Sequence, residues 1–284
     1  MKQKAPQTSI LVPSCSITGW QLVLMVCLMG INWAAMAQVS TKTNLNDDRF
    51  KGIIYRKETT GDLRLHNNGW AVAVNFGEIR TYYRTRYYHF EFGTMHSPRE
   101  QNQSKNLNVI GNELPKEFKL GKQNSVFIIR AGKGFKRYLS DKARRKGVAI
   151  GYNLEAGPAI ALLKPYYLKF IEQVVVNGEL ESILVDKKFS EENKTEFIDY
   201  GSIYGGAPFS TGLKEISILP GFQAKAGLFF SVGAFDEYVK AAEVGLMADL
   251  FIKKVPIMVE TAGTTNTPLF LNLYVNLHFG RRSN

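Results

Sequence analysis

The chain has 284 residues and a formal net charge of +11, from 36 lysines and arginines against 25 acidic residues. Its two cysteines, Cys15 and Cys27, lie near the start, so the rest of the sequence has no disulfide and no cysteine nucleophile. Beyond residue 37 there is no apolar run of about 18 residues, which excludes membrane-spanning helices from that part of the sequence.

The first 37 residues are organised like a secretory signal peptide. Lys2 and Lys4 supply a positive start, residues 20–33 form an apolar core, and Ala35-Met36-Ala37 is a small-x-small cleavage site. We therefore predict export, cleavage and a mature chain that begins at Gln38. The alternative is a membrane-anchoring helix, but the apolar core is shorter than the roughly 20 residues that span a bilayer.

Cleavage would remove both cysteines and two of the lysines. Taking Lys2 and Lys4 from the 36 basic residues leaves 34 against 25 acidic ones, a net charge of about +9. A basic exported protein can meet anionic lipid headgroups. Export also separates the chain from nucleic acid, so no nucleic-acid partner is expected.

Residues 38–50 are polar and are predicted to be a flexible N-terminal segment, and a β-barrel is predicted over 51–284. From residue 51 onward apolar and polar residues alternate with the period of two that is typical of strands. The pattern predicts one weak strand at 52–57. It predicts seven clear strands, around 70–76, 88–92, 127–131, 148–162, 222–232, 242–250 and 269–279.

The run 269–279 is the most informative of these strands. One face carries Leu273, Val275 and Leu277, and the other carries Asn272, Asn276 and His278. Alternation over about ten residues is what a tilted transmembrane strand needs, with lipid on one side and a polar lumen on the other. We therefore predict an all-β fold, a transmembrane antiparallel barrel in the outer membrane of a Gram-negative cell.

An even number of strands is expected, because lipid tolerates no unpaired edge. Eight strands would place four long connections outside the cell, at about 58–69, 94–122, 165–220 and 254–267. A short turn near Glu78, a basic connector at 136–146 and a turn near Asp236 would lie on the periplasmic side. The segment at about 165–220 is predicted to be the longest irregular loop.

Two alternatives to the eight-stranded membrane barrel remain open. A break at Pro158 or Pro165 would divide 147–176 into two strands and give up to ten, because proline disfavours a ladder interior. A soluble β-sandwich or lipocalin-like barrel would instead need large apolar side chains inside. The inward residues predicted here are small or polar, which favours the membrane barrel.

Charged residues on the predicted inward face are the candidate site. They are Glu91, Arg130, Glu155, Lys225, Glu243 and Asp249. An eight-stranded barrel is just wide enough for its side chains to fill, and buried charges must be paired. We predict a salt-bridged network that closes the lumen, with a narrow polar path as the alternative.

Four segments carry a resemblance to a known family. They are Arg64-Leu65-His66-Asn67-Asn68-Gly69-Trp70, Tyr204-Gly205-Gly206-Ala207-Pro208-Phe209, Pro220-Gly221 and Leu273-Tyr274-Val275-Asn276-Leu277-His278-Phe279-Gly280. They resemble a family of Bacteroidota outer-membrane β-barrel proteins and, more distantly, the PorT-like barrels associated with protein secretion and gliding. The resemblance implies an outer-membrane location and implies no reaction.

No catalytic, cofactor or metal site is predicted. The sequence has no Gly-x-Ser-x-Gly motif, and His66, His89, His96 and His278 do not have metal-ligand spacing. We expect a non-enzymatic structural or accessory envelope component, linked to secretion or surface assembly, with outer-membrane lipid and an envelope protein as partners. A small passive pore and a membrane-embedded lipid hydrolase are the alternatives. The basic connector is either a solvated turn or a contact for phosphorylated headgroups.

Overall fold

The computed structural model describes residues 55–81, 83–104, 114–139, 148–176, 179–232, 237–261 and 265–284. The predicted signal peptide 1–37 and the predicted flexible segment 38–50 lie outside these residues, as do positions 140–146 of the basic connector and most of the turn near Asp236. Among the described residues, no helix is long and apolar enough to cross a membrane.

The described chain is built almost entirely from strands. In chain order they are β1 Lys57–His66, β2 Gly69–Thr81, β3 Arg84–Met95, β4 Asn102–Gln103, β5 Phe118–Lys119, β6 Asn124–Tyr138, β7 Val148–Pro165, β8 Tyr167–Val176, β9 Glu179–Lys188, β10 Ile203–Gly206, β11 Ser217–Val232, β12 Tyr238–Phe251 and β13 Leu269–Ser283. A short helix, α1 (Lys194–Ile198), and a 3₁₀ turn at Leu213–Glu215 lie between β9 and β11.

Eight of the strands close into an antiparallel barrel in the order β1-β13-β12-β11-β7-β6-β3-β2. The predicted all-β, eight-stranded barrel is confirmed, and the ten-stranded alternative is wrong, because β7 runs without a break through Pro158, which pairs with Phe222. On the side of β7 that faces β6, Arg130 pairs with Ala159 and Lys133 pairs with Ala156, and the residues between these two pairs, including Pro158, are not paired. Proline lacks a backbone N–H and is tolerated at this gap in the ladder.

The strands are staggered around the barrel. We start at Lys57 on β1 and move from each residue to its partner on the next strand until the circuit of the barrel reaches Leu273 on β13. The carbonyl of Leu273 accepts a hydrogen bond from the N–H of Asn67, so the circuit returns to the chain at Asn67. The residues passed are Lys57, Glu78, Arg86, Phe135, Leu154, Ala226, Leu246 and Leu273. One circuit therefore advances from residue 57 to residue 67, a shear of ten residues. At about 3.4 Å per residue and about 4.8 Å between strands, this shear tilts the strands by about 40°.

The first strand differs from the prediction. The expected connection 58–69 is wrong, because β1 occupies Lys57–His66 and joins β2 through the two residues Asn67 and Asn68. Of the predicted strand 52–57, positions 51–54 lie outside the described residues. The missed strand has charged side chains inward and only Leu63 and Leu65 as large apolar side chains outward, so it lacks a clear apolar face.

The structure also differs from the prediction at two turns. The turn near Glu78 is wrong, since β2 continues to Thr81 and Glu78 pairs with Arg86. Lys136 and Arg137, assigned to the basic connector, belong to β6, where Lys136 is buried and Arg137 is exposed. The connections at 82–83, 139–147 and 233–237 define the turn end of the barrel. Those at 67–68, 96–123, 166–216 and 252–268 define the loop end.

The segment between β7 and β11 is not the irregular loop that the sequence predicts. It contains a three-stranded sheet in the order β10-β8-β9 together with α1. Phe118, Leu168, Phe170 and Phe197 form the buried core of this cap with Ile203 and Val259. Of the side chains described in β8 and β9, which have ten residues each, Leu168 and Phe170 are buried and the others are half-buried or exposed, so no apolar alternation is sustained.

The connection between β12 and β13 folds into the loop-end mouth of the barrel. Val255, Ile257 and Met258 are buried in one cluster with the inward side chains of β3 and β6, such as Met95 and Ile128. The backbone N–H groups of Gln123 and Asn124 both donate to the carbonyl of Ile257, at 2.9 and 3.2 Å. The mouth is therefore filled by an apolar plug that is hydrogen-bonded to the barrel rim.

Candidate functional site in the barrel lumen

All six predicted lumen charges lie inside the barrel, and each is at most 4% exposed. Strand alternation places them there, because successive side chains point to opposite faces of the sheet. On β3, for example, Phe90 and Phe92 point outward, so Glu91 between them points into the lumen. The sequence pattern thus sets the direction of each charge, and the register decides which charges meet.

Glu91 is the centre of the network. Its carboxylate accepts a hydrogen bond from Nη1 of Arg130 at 2.5 Å and from Nζ of Lys225 at 2.7 Å. Nη1 of Arg64, on the unpredicted strand β1, donates to the same carboxylate. Three cations therefore surround one acid. The Arg64 guanidinium also lies over the ring of Tyr274, 4.8 Å from its centroid, whereas the other two cations have further carboxylate partners.

Arg130 and Lys225 find their second acceptors on neighbouring strands. Nε and Nη2 of Arg130 each donate to Asp249 at 2.8 Å, a bidentate pair. Nζ of Lys225 lies 3.1 Å from Oε1 of Glu155. Five of the six predicted residues are thereby joined in one chain of ion pairs, Glu155–Lys225–Glu91–Arg130–Asp249.

Glu243, the sixth predicted residue, belongs to a second cluster around His278. Nδ1 of His278 lies 2.7 Å from Oδ1 of Asp62, and Nε2 lies 2.6 Å from Oε2 of Glu243. Both ring nitrogens face carboxylate oxygens, so both must carry hydrogen, which makes this ring an imidazolium. The hydroxyl of Tyr274 donates to Oε1 of Glu243 at 2.5 Å.

Tyr87 and Asn153 connect the two clusters. The Tyr87 hydroxyl donates to Oδ1 of Asn153 at 2.6 Å and lies 3.2 Å from Oε2 of Glu155. Nδ2 of Asn153 donates to Glu243 at 3.1 Å. A side chain at Gly134 would collide with the Tyr87 ring, so the glycine makes room for this bridge.

A second connection runs through His89 and Asn75. Nε2 of His89 lies 3.1 Å from Glu91, and Nδ1 lies 2.5 Å from Oδ1 of Asn75. Nδ2 of Asn75 donates to Asp62 at 2.9 Å, which returns the path to the His278 cluster. The lumen therefore holds one continuous polar network rather than isolated pairs.

The network is closed at the turn end by Glu58. Nε of Arg282 donates to Glu58 at 2.9 Å, and Nζ of Lys136 lies 3.7 Å from it. The acids of the network are Glu58, Asp62, Glu91, Glu155, Glu243 and Asp249, and its cations are Arg64, Arg130, Lys136, Lys225, Arg282 and the His278 imidazolium. Nε2 of His89 lies 3.1 Å from Nζ of Lys225, which can only donate, so His89 is counted as a neutral acceptor. Acids and cations are then equal in number, and the network has no net charge.

Sequence analysis missed Asp62 and Arg64 because it placed them in a loop. The signal was present, since Glu58, Thr60, Asp62, Arg64 and His66 recur at every second position. Polar residues at every second position indicate a lumen-facing strand as well as apolar residues at every second position do, provided that the residues between them can contact lipid.

A smaller polar cluster lies at the loop end, outside the lumen. Glu100 accepts hydrogen bonds from Nζ of Lys119 at 2.6 Å and from Nζ of Lys122 at 2.8 Å. Burial alone would raise the pKa of Glu100, but the two ammonium groups lower that pKa below its usual range. Burial also lowers the pKa of Lys122. The cluster joins the two ends of the connection between β3 and β6 to each other.

The lumen offers little for catalysis, because its acids and cations are already bound to one another. Across the residues that the structure describes, no group of histidine, cysteine, aspartate and glutamate side chains could hold a metal ion. The arrangement is suited to filling and stiffening the barrel.

No protein-family model, curated protein or solved structure matches this chain. All four segments that carry the family resemblance lie in described residues. Residues 64–70 form the β1–β2 hairpin, residues 204–209 begin in β10, residues 220–221 lie in β11, and residues 273–280 lie in the closing strand β13.

We expect Arg130→Met to destabilise the barrel strongly. The change leaves Asp249 buried without its bidentate partner, which costs about 3–5 kcal/mol for a broken buried pair. Replacing both partners, as Arg130→Met/Asp249→Leu, should restore part of that loss, because no buried charge is then left without a partner. The measurement is the denaturant midpoint of the refolded protein.

Lys240→Met, which removes a positive charge from the outward face of β12, is the control and should change the midpoint little. An Arg130→Met protein as stable as wild type would mean that water screens the lumen charges independently, and the network would then not close the barrel.

Proposed function

We propose that this chain is an integral β-barrel of the Gram-negative outer membrane, exported by its signal peptide, and that it acts as a structural or accessory envelope component without catalysis. The observation that carries the proposal is the inversion of the barrel: charges fill its inside and large apolar side chains cover its outside. Leu271 and Leu246 are 70% and 66% exposed on that outer face. Soluble proteins rarely expose so continuous an apolar surface.

The height of the apolar exterior supports a membrane location. Along β13 it extends from Leu269 to Phe279, a distance of ten residues. At about 3.4 Å per residue and a tilt of about 40°, the band is about 26 Å high. The apolar band of outer-membrane barrels is about 25 Å high.

The filled interior favours an accessory role over a passive pore. The charge network occupies the lumen from Glu58 to Asp249, and the plug of Val255, Ile257 and Met258 closes the loop end. An eight-stranded barrel has just enough room for such side chains. A water path would require breaking several buried ion pairs.

The cap provides a surface for a protein partner. The distal half of the β8–β9 hairpin lies beyond the part of β8 that pairs with β10, and no third described strand pairs with it. Val175 and Leu180 are 64% and 72% exposed there. We propose that this apolar hairpin binds an envelope protein. A link to secretion or surface assembly rests on the resemblance to PorT-like barrels.

Trp70 provides a test of membrane insertion. It is the single tryptophan left after the proposed cleavage, and its side chain lies on the outer face of β2. In vesicles that contain lipids with brominated acyl chains, we expect its fluorescence to be quenched. A Trp70→Phe/Tyr200→Trp protein moves the fluorophore to the cap, where Tyr200 is 40% exposed beside Phe118, and should not be quenched. Unquenched Trp70 in a folded protein would contradict insertion.

Planar-bilayer recording tests the closed lumen. The folded wild-type protein should give no stable conductance steps, because the network and the plug leave no continuous water path. A porin inserted under the same conditions supplies the positive control. Regular conductance steps from the wild-type protein would support the pore instead.

Photo-cross-linking in intact cells tests the hairpin surface. A photoreactive residue at Val175 or Leu180 should give a discrete adduct with one envelope protein. The same residue at Glu191, an exposed polar position of the same cap, should give none. If Glu191 reacts equally, or if neither hairpin position forms a protein adduct, the hairpin is not the partner surface.

A further inference from the structure

Basic side chains gather on the outside of the barrel at its turn end. They lie on β1, β2, β3 and β6, which are neighbours in the sheet. The group, here called the basic collar, consists of Lys57, Arg80, Arg84, Arg86, Lys133 and Arg137, and all six are exposed. Each has the same outward direction as the apolar residues further along its strand.

The collar lies at the turn end of the barrel. At the loop end the outward residues of the same strands are apolar, such as Trp70 and Phe92. Beside the collar at the turn end, β7 carries the apolar Val148, whereas β13 and β12 on the other side carry the exposed basic residues Arg281 and Lys240. A general excess of positive charge would not produce the difference between the two ends.

The collar contains a repulsive pair. Arg84 and Arg137 are directly opposite each other across β3 and β6. Like charges at such positions destabilise a sheet. Glu78 is opposite Arg86 and forms an ion pair with Arg80 at 2.9 Å. Arg84 and Arg137, in contrast, contact no carboxylate among the described residues, so this pair is the part of the collar where a bound anion would relieve repulsion.

The collar also lies at the border of the apolar exterior. The guanidinium of Arg84 lies over the Phe135 ring, 5.4 Å from its centroid, and Nζ of Lys133 lies 5.2 Å from the centroid of Tyr88. Aromatic residues beside basic ones are typical of the depth at which lipid headgroups lie. An anion supplied by the bilayer would meet the collar at this depth.

We infer that the basic collar binds the phosphate groups of anionic phospholipids in the leaflet at the turn end. Arg84, Arg86 and Arg137 form its centre, because paired guanidinium groups match the geometry of phosphate oxygens. A bound phosphate removes the repulsion between Arg84 and Arg137. The inference rests on the proposed membrane location.

The test measures lipid selectivity of the mature protein in vesicles of phosphatidylcholine with a minor fraction of phosphatidylglycerol. After extraction in neutral detergent, the two retained lipids are quantified. Wild-type protein should retain phosphatidylglycerol above its bulk fraction. Arg84→Gln/Arg86→Gln/Arg137→Gln should lower that enrichment at least about fivefold, the factor equivalent to about 1 kcal/mol for a single basic residue.

Two further variants of the protein serve as controls. Lys116→Gln/Lys214→Gln/Lys253→Gln removes the same charge from exposed loop-end positions and should keep the wild-type enrichment. Arg137→Glu supplies Arg84 with a carboxylate, which favours folding while competing with lipid. It should lose the enrichment even if the triple arginine variant does not fold.

The outcomes separate the inference from the proposed function. Quenching of Trp70 in vesicles of phosphatidylcholine alone measures insertion of the barrel independently of anionic-lipid binding by the collar. Insertion without phosphatidylglycerol enrichment, or equal loss in the lysine control, would overturn the inference alone. Displacement of the lipid by inorganic phosphate would also overturn it, because it would indicate a site for free phosphate. Failure to insert in any vesicle would overturn the proposed function as well.

Discussion

Closure of eight strands with a shear of ten residues is the constraint on which the rest of this structure depends. Closure pairs the strands at both edges and leaves a lumen only wide enough for side chains. Every inward charge must then meet an opposite one. Glu91 shows the result, because it meets cations from β1, β6 and β11 in one place.

The two ends of the lumen are closed by different chemistry. At the loop end Val255, Ile257 and Met258 form an apolar plug, whereas at the turn end Glu58 is held by Arg282 and Lys136. Removing one partner of such a buried pair costs more than replacing both, so a register that separated these partners would be penalised. The interior thus favours one register of the strands.

The outer surface and the cap carry the proposed interactions. The apolar band favours lipid chains, the basic collar favours lipid phosphates, and the β8–β9 hairpin favours a protein. These surfaces lie on different parts of the chain, so a variant in one can be tested without disturbing the others. Such a division suits an anchored accessory component with a closed lumen.

The sequence by itself determined the all-β barrel and the facing of β13, because alternation is a local property of each strand. It also indicated the six lumen charges. It left eight and ten strands open until the pairing of β7 with β11 through Pro158 was known, and it failed for β1, whose outward face is weakly apolar, and for the cap, whose strands show no sustained alternation. Only the tertiary structure decided that Arg130 pairs with Asp249 and that Glu243 joins His278. Those partners depend on the shear, which arises from pairing around the whole barrel and is not encoded in any single strand.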